Sequence, residues 1–430
     1  MPTRREFLQT SSAAVAATVL APAPADATTG PQQGTPLPPS IRALTSQKSR
    51  ARPISVEERR GRLERAKALL AGEQLDALFL TGGTSLRYFT GISWGLSERL
   101  LALILPRAGR AFVVCPAFER DRALEQIEAG PLKGTADVTV WEEHEDPYQR
   151  VASGLRAGGI ATGRLGVEET VRHVFASGAA AALPAMQLAS GTPVTAGCRM
   201  VKDAHELELM RLASELTLQA YEAAYLALKD GMTQEEFAAL VSQAHQRLGF
   251  TGGAGVQVGE YSALPHGSTT PQVIREGTIL LIDGGCSVEG YASDLSRTFV
   301  LGRATGRMKQ VFEIERRAQQ AALAAARPGV ECQAVDAAAR KVIVDAGFGP
   351  DYKYFTHRVG HGIGMDGHEW PYLVRGNTLP LKAGMTFSDE PGIYIPGEFG
   401  VRLEDDMVIT EAGAELFTPT SPSLENPFGR

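Results

Sequence analysis

The chain has 430 residues, 43% of them hydrophobic, with 46 glycines and a formal net charge of −6. This length points to two domains rather than one core, and the composition is that of a globular protein rather than a collagen-like repeat. The acidic balance, with no run of Lys and Arg, gives nucleic acid no basic surface, and four scattered cysteines make neither a disulfide framework nor a metal spacing.

Residues 1–27, MPTRREFLQTSSAAVAATVLAPAPADA, carry twin arginines (Arg4, Arg5), then Phe7-Leu8, then a weakly apolar run from Ala13 to Leu20. A small-residue site, Ala25-Asp26-Ala27, closes the segment. The pattern is similar to a twin-arginine export signal and implies a periplasmic protein that folds and takes up its cofactor before crossing the membrane. Its apolar run is too short to span a bilayer. Residues 28–53 are rich in Pro, Gly, Ser, Thr and Gln and read as a linker. Residues 54–194 read as a smaller α/β domain. VEERRGRLERAKALLAGEQLDALFL predicts a helix and then a strand, and LLALILP and RAFVVCP predict two strands about a glycine turn. His144, in WEEHEDPYQR, belongs to a solvated acidic loop.

Residues 195–425 form the second domain. KDAHELELMRLASELTLQAYEAAYLAL predicts a long amphipathic helix, and Thr233-x-x-Glu236 a capping box before the next one. A second long helix is predicted over about 308–327. The segments Gly231–Phe250 and Gly329–Phe348 have equal length, begin with Gly and end with Gly-Phe. Each precedes a strand-rich stretch with charged residues, which suggests a duplicated unit with pseudo-twofold symmetry.

Acidic residues fall at corresponding places in the two halves. TILLIDGG and YASDLSRTFVL predict a hairpin turning near Ser287–Gly290, with Asp283 facing Asp294 at a Cβ separation of about 4.5–5.5 Å. MTFSDEPGIYI and GVRLEDDMVIT flank Pro396–Phe399 and put Glu390 opposite Glu404. Like charges facing across a hairpin destabilise it, so two such pairs in apolar runs call for cations between them. Four of the eight histidines lie nearby: His266 in SALPHGS, and His357, His361 and His368 in THRVGHGIGMDGHEWP. The glycines among the latter favour an extended segment over a helical metal motif.

RMVKDAHELELMR, PHG, IDGG…GYASDLSRTF, HRVGHGIGMDGHE, SDEPGIY and GVRLEDD, in that order and spacing, resemble the Xaa-Pro peptidases of the pita-bread metallopeptidases. The resemblance implies an α/β (α+β) protein: a creatinase-like N-terminal domain followed by a pita-bread catalytic domain. It implies two divalent metals, Mn²⁺ first and Co²⁺, Zn²⁺ or Fe²⁺ as alternatives. Asp294 and Glu404 would bridge the pair, with Asp283 on one metal and His361 and Glu390 on the other. Glu390 would move the proton of a metal-bridging hydroxide nucleophile. His266, His357 and His368 would contact substrate or protonate the leaving nitrogen. Arg402 would support the site or meet a substrate carboxylate, or else hold Asp405 or Asp406. Trp370 would narrow the pocket or stack on the substrate. The expected substrate is a proline-containing di- or oligopeptide, cut as a dipeptidase or an aminopeptidase, and the expected assembly a homodimer. The alternative is a same-fold metal-dependent hydrolase or lyase acting on a non-proline small molecule.

Overall fold

A computed structural model describes residues 36–429. The twin-arginine segment lies outside them. Part of the expected linker is built into the fold: α1 (Pro39–Arg42) and a 3₁₀ turn at Lys48–Arg50. Ile41 is fully buried, Ser40 Oγ donates to Ala223 O at 2.7 Å, and Arg50 pairs with Glu215 at 2.6 Å. The segment read as a linker because its polar side chains bind a helix about 170 residues away, which composition does not reveal.

The N-terminal domain contains α2 (Val56–Gly72), β1 (Ala77–Thr81), α3 (Thr84–Thr90), β2 (Ala102–Pro106), β3 (Ala111–Pro116), α4 (Arg120–Glu128), β4 (Ala136–Trp141), α5 (Pro147–Ala157), β5 (Gly163–Val167), α6 (His173–Ala182), β6 (Met186–Ser190) and α7 (Thr192–Arg199). Its sheet runs β4-β3-β2-β1-β5-β6. Alternate side chains pack into two cores, Leu78 and Leu80 on one face and Ala77 and Phe79 on the other. Burial on both faces explains the continuously apolar strands. Val194 and Cys198 belong to the first of these cores, so it extends past the expected end at 194.

The C-terminal domain begins with α8 (Ala204–Tyr225) and α9 (Gln234–Leu248), each opened by a capping box, Asp203/Glu206 and Thr233/Glu236. They pack on β7 (Thr251–Val258), β8 (Ile279–Val288), β9 (Tyr291–Ala292) and β10 (Leu295–Val300). The second half supplies α10 (Gly306–Ala325), α11 (Cys332–Asp345), β11 (Gly360–Gly362), β12 (Glu369–Leu373), β13 (Thr386–Asp389), β14 (Gly392–Ile395), β15 (Phe399–Arg402), β16 (Asp405–Ile409) and β17 (Ala414–Leu416).

Backbone geometry repeats between the halves. Gly231 and Gly329 donate to Ile274 O and Leu381 O, both at 2.9 Å, and both have positive φ (86° and 84°). Gly249 and Gly347 reverse the chain after α9 and α11 with φ of 97° and 90°. Phe250 and Phe348 then close matching turns, onto His245 O and Ile343 O, both at 3.1 Å. The glycines that delimit the repeat in sequence are those whose left-handed backbone the turns require.

Candidate metal centre

The two hairpins carry the acids, with different registers. In the first, Asp283 lies opposite Ser296, not Asp294. The turn is Glu289–Gly290, both with positive φ (51° and 94°), closing the pair Val288↔Tyr291. That centre is one residue beyond the midpoint of the two aspartates, so Asp294 sits diagonally from Asp283. In the second, Gly392 pairs with Arg402 on one side and Asp389 with Asp405 on the other. Both ladders share one register, and it sets Glu390 opposite Glu404 as expected. The long strands read from sequence are each broken here, into β13 and β14 and into β15 and β16, so the acids lie at a change of sheet.

Cross-links hold the hairpins together. The Glu404 amide donates to Ser296 O at 3.2 Å. Arg297, with no exposed surface, donates to Ser296 O, to Glu404 O and to Asp405 Oδ1 at 3.0, 2.8 and 2.6 Å.

The carboxylates and His361 converge on a cavity of about 360 Å³ that is also lined by His266, His357, Arg358, His368 and Arg402. Three sets have donor atoms within 4.8 Å of one another: Asp283, Asp294 and Glu404; His361, Glu390 and Glu404; and Asp294, His361 and His368. His361 Nδ1 donates to Gly362 O at 3.1 Å, which turns Nε2 toward the carboxylates, 3.1 Å from Glu390 Oε1 and 3.9 Å from Asp294 Oδ2.

The electrostatics favour positive charge among the acids. Burial and then neighbouring acids push the Asp294 and Glu404 carboxyls well above their ordinary range. Burial also works to raise Glu390, but the hydrogen bond and charge of His361 outweigh it and hold it low. An oxygen-rich donor set with one imidazole, crowded enough to resist full ionisation, suits divalent cations.

Arg402 pairs with Asp283 Oδ2 at 2.7 Å, not with Asp405 or Asp406. Asp405 is held by Arg297, Gln319 and Thr418, and Asp406 accepts from Ser214 Oγ and the Asp294 amide. Arg402 also donates to Tyr394 Oη at 2.8 Å, so the tyrosine hydrogen points to His357 Nε2, 2.7 Å away. His357 Nδ1 donates to Arg358 O at 2.8 Å. Both ring nitrogens are thus engaged, and burial pushes the His357 pKa down.

His266 and His368 are exposed at the cavity. The His368 ring stacks on His361 with centroids 3.6 Å apart. Trp370 does not line the cavity; alternation along β12 turns it outward, 41% exposed and edge-on to Tyr372. Sequence reasoning gave the supporting hydroxyls no role. Ser296 Oγ lies 3.0 Å from Asp283 Oδ1 and 2.6 Å from Glu404 Oε2, and Ser388 Oγ donates to Glu390 Oε1 at 3.1 Å. Their signal was strand parity: Ser296 lies two residues after Asp294, on the same face, and Ser388 two before Glu390.

A two-domain chain whose duplicated half focuses four carboxylates and an imidazole on one cleft has the architecture of a metal-dependent peptidase. Residues 208–411 match metallopeptidase family M24, and residues 62–201 match the creatinase/prolidase N-terminal domain. The Xaa-Pro dipeptidase of Lactobacillus delbrueckii subsp. lactis is 36% identical over 374 residues, 84% of this chain and 98% of that one. The crystal structure of dipeptidase PepE from Mycobacterium ulcerans superposes with a TM-score of 0.81 at 36% identity, covering 87% of this chain and 99% of that one. Prolidase from Thermococcus sibiricus gives 0.76 at 29% identity, with 85% and 97% covered. The chain belongs to metallopeptidase family M24, in its Xaa-Pro peptidase branch, with the pita-bread fold.

Proposed function

We propose that the protein hydrolyses the Xaa-Pro bond of short peptides at a two-metal centre held by Asp283, Asp294, His361, Glu390 and Glu404. The observation that carries this reading is the sharing of donors. Asp294 and Glu404 join Asp283 in one set, and each joins His361 in another, as bridging residues would. Ions held by these residues would supply a hydroxide nucleophile near neutral pH and a Lewis acid for the scissile carbonyl.

The chain's own groups do the rest. Glu390 takes the nucleophile's proton on its carboxylate and passes it toward the proline nitrogen, a poor leaving group until protonated. His368 Nδ1 faces Arg358 Nη2 at 3.5 Å, which puts the ring hydrogen on Nε2, where it can donate to a substrate oxygen. His266, at the rim, contacts substrate. His357 acts through Tyr394, holding Arg402 against Asp283. The cavity is at the small end of ligand sites, which favours a dipeptide. The donor set suits Mn²⁺, with Co²⁺, Zn²⁺ or Fe²⁺ as alternatives. A homodimer exported to the periplasm completes the proposal.

The test is a screen of Ala-Pro, Gly-Pro and a longer Xaa-Pro-Xaa peptide with Mn²⁺, Co²⁺ and Zn²⁺ in turn. Cleavage of the dipeptides is expected; cleavage of other amides alone defeats the Xaa-Pro reading. Asp294→Ala and Glu404→Ala are each expected to abolish turnover, since each removes a bridge. Near-parental rates in either would refute the assignment.

A further inference from the structure

Three charged residues outside the hairpins, Arg199, Lys202 and Glu369, are buried beside the site, with Asp366 at their partly exposed edge. Glu369, the residue after His368, has almost no exposed surface. Its Oε1 accepts from Lys202 Nζ at 2.6 Å and its Oε2 from Arg199 Nη2 at 2.5 Å. The same Arg199 nitrogen reaches Asp366 Oδ2 at 2.6 Å, and Asp366 Oδ1 accepts from Thr84 Oγ1 at 2.5 Å. Arg199 ends α7, and Thr84 opens α3, both in the N-terminal domain. The Lys202 amide donates to Gly384 O at 2.8 Å, on the approach to β13.

This group encloses the loop between β11 and β12. Gly364 O accepts from the Ala292 amide at 2.7 Å, which ties the loop to the tip of the first hairpin. A Cβ on Gly364 would lie 2.5 Å from Glu369 Oε1 and 2.9 Å from Lys202 Cε, so the loop is closed tightly on the ion group. One end of that loop carries His361 and the other His368, and their rings stack.

Buried charge groups of this kind add little net stability over apolar residues of the same volume, but their hydrogen bonds fix direction. We propose that Glu369, clamped by Lys202 and Arg199, is a positioning residue that sets His368 over the metal-binding His361, and that the N-terminal domain acts on the chemistry by this route. The inference rests on the role given to His368 above.

The test is a double-mutant cycle read on an Xaa-Pro dipeptide, with kcat, KM and bound metal measured for each protein. Glu369→Gln is expected to lower kcat at least tenfold, with KM within about threefold and metal content unchanged. In a His368→Ala background the same substitution is expected to cost less than twofold, because its effect passes through that ring. Since breaking a buried ion group can unfold the chain, the compensated variant Lys202→Met with Glu369→Leu repeats the cycle with an apolar contact. It is expected to fold and still lose at least tenfold in kcat. Independent, multiplying losses in the cycle overturn the inference while leaving His368 its role, as does parental kcat in both the single and the compensated variant. A parental rate in His368→Ala overturns the role of His368 and the inference with it.

Discussion

At the scale of single residues, the centre depends on groups whose protonation or orientation is set by one or two neighbours. The same logic applies to His245 on α9, which does not line the cavity. It is fully buried, its Nδ1 donates to Val241 O at 3.0 Å, and its Nε2 faces Thr217 Oγ1 at 3.4 Å. Burial pushes its pKa down from 6.5 to about 4. Between those values the unfolded chain binds the proton and the folded chain does not, so stability rises with pH across the window and is lost as pH falls through it. The full effect is on the order of 3 kcal/mol. Urea unfolding from pH 7 to pH 4.5 should therefore show a steeper loss of stability for the parent than for His245→Gln. Equal slopes would remove the assignment.

At the scale of elements, close backbone approach holds Asp294 where strand pairing does not. A Cβ on Gly285 would lie 1.8 Å from Ser293 O, and Ser293 precedes Asp294. Gly285→Ala must push that segment away. It is expected to lower activity at least a hundredfold and to reduce bound metal, as measured by elemental analysis. Gly253→Ala, on the neighbouring strand β7, meets only Ser242 Oγ at 3.1 Å and should stay close to parental on both counts. This element also shows where sequence reading stops. The acids, the histidines and the duplicated glycines were legible because each breaks a local pattern: a charge in an apolar run, or a glycine at a helix end. The second hairpin's register followed from symmetry about Gly397. The first was misplaced by one residue because the midpoint of two acids stood in for the turn, although Glu289–Gly290 carried a turn signal of its own. Tyr394 and the Lys202–Glu369–Arg199 group were not singled out, since their partners lie 8 to 170 residues away and no local periodicity encodes them.

At the scale of the molecule, the C-terminal domain lines a site with more negative than positive charge. Asp283, Asp294, Glu390 and Glu404 share the cleft with Arg402 and His361. Cations that bind only the folded chain stabilise it by mass action. Removing them with a chelator is expected to lower the melting temperature by several degrees, and adding Mn²⁺ back should restore it. An unchanged melting temperature in calorimetry would mean that the acids are balanced some other way. The arm, Pro38–Pro53, also belongs to this scale, because its bonds to α8 and α9 attach it to the catalytic half before the chain enters α2.

The two hairpin tips differ in how much room they have. Nothing lies within 4 Å of a Cβ on Gly397, whereas one on Gly290 would meet the Arg87 guanidinium at 3.0 Å, and the adjoining Tyr291 hydroxyl is locked between Arg62 and Glu206. A loop spliced in at Gly397 would leave the ladder beneath it intact, while the same graft at Gly290 would pry the halves of the protein apart. Diversity, whether selected in nature or introduced by an engineer, therefore has a permissive doorway at the second hairpin and none at the first, although Gly397 stands only seven residues of chain from Glu390 on one side and from Glu404 on the other.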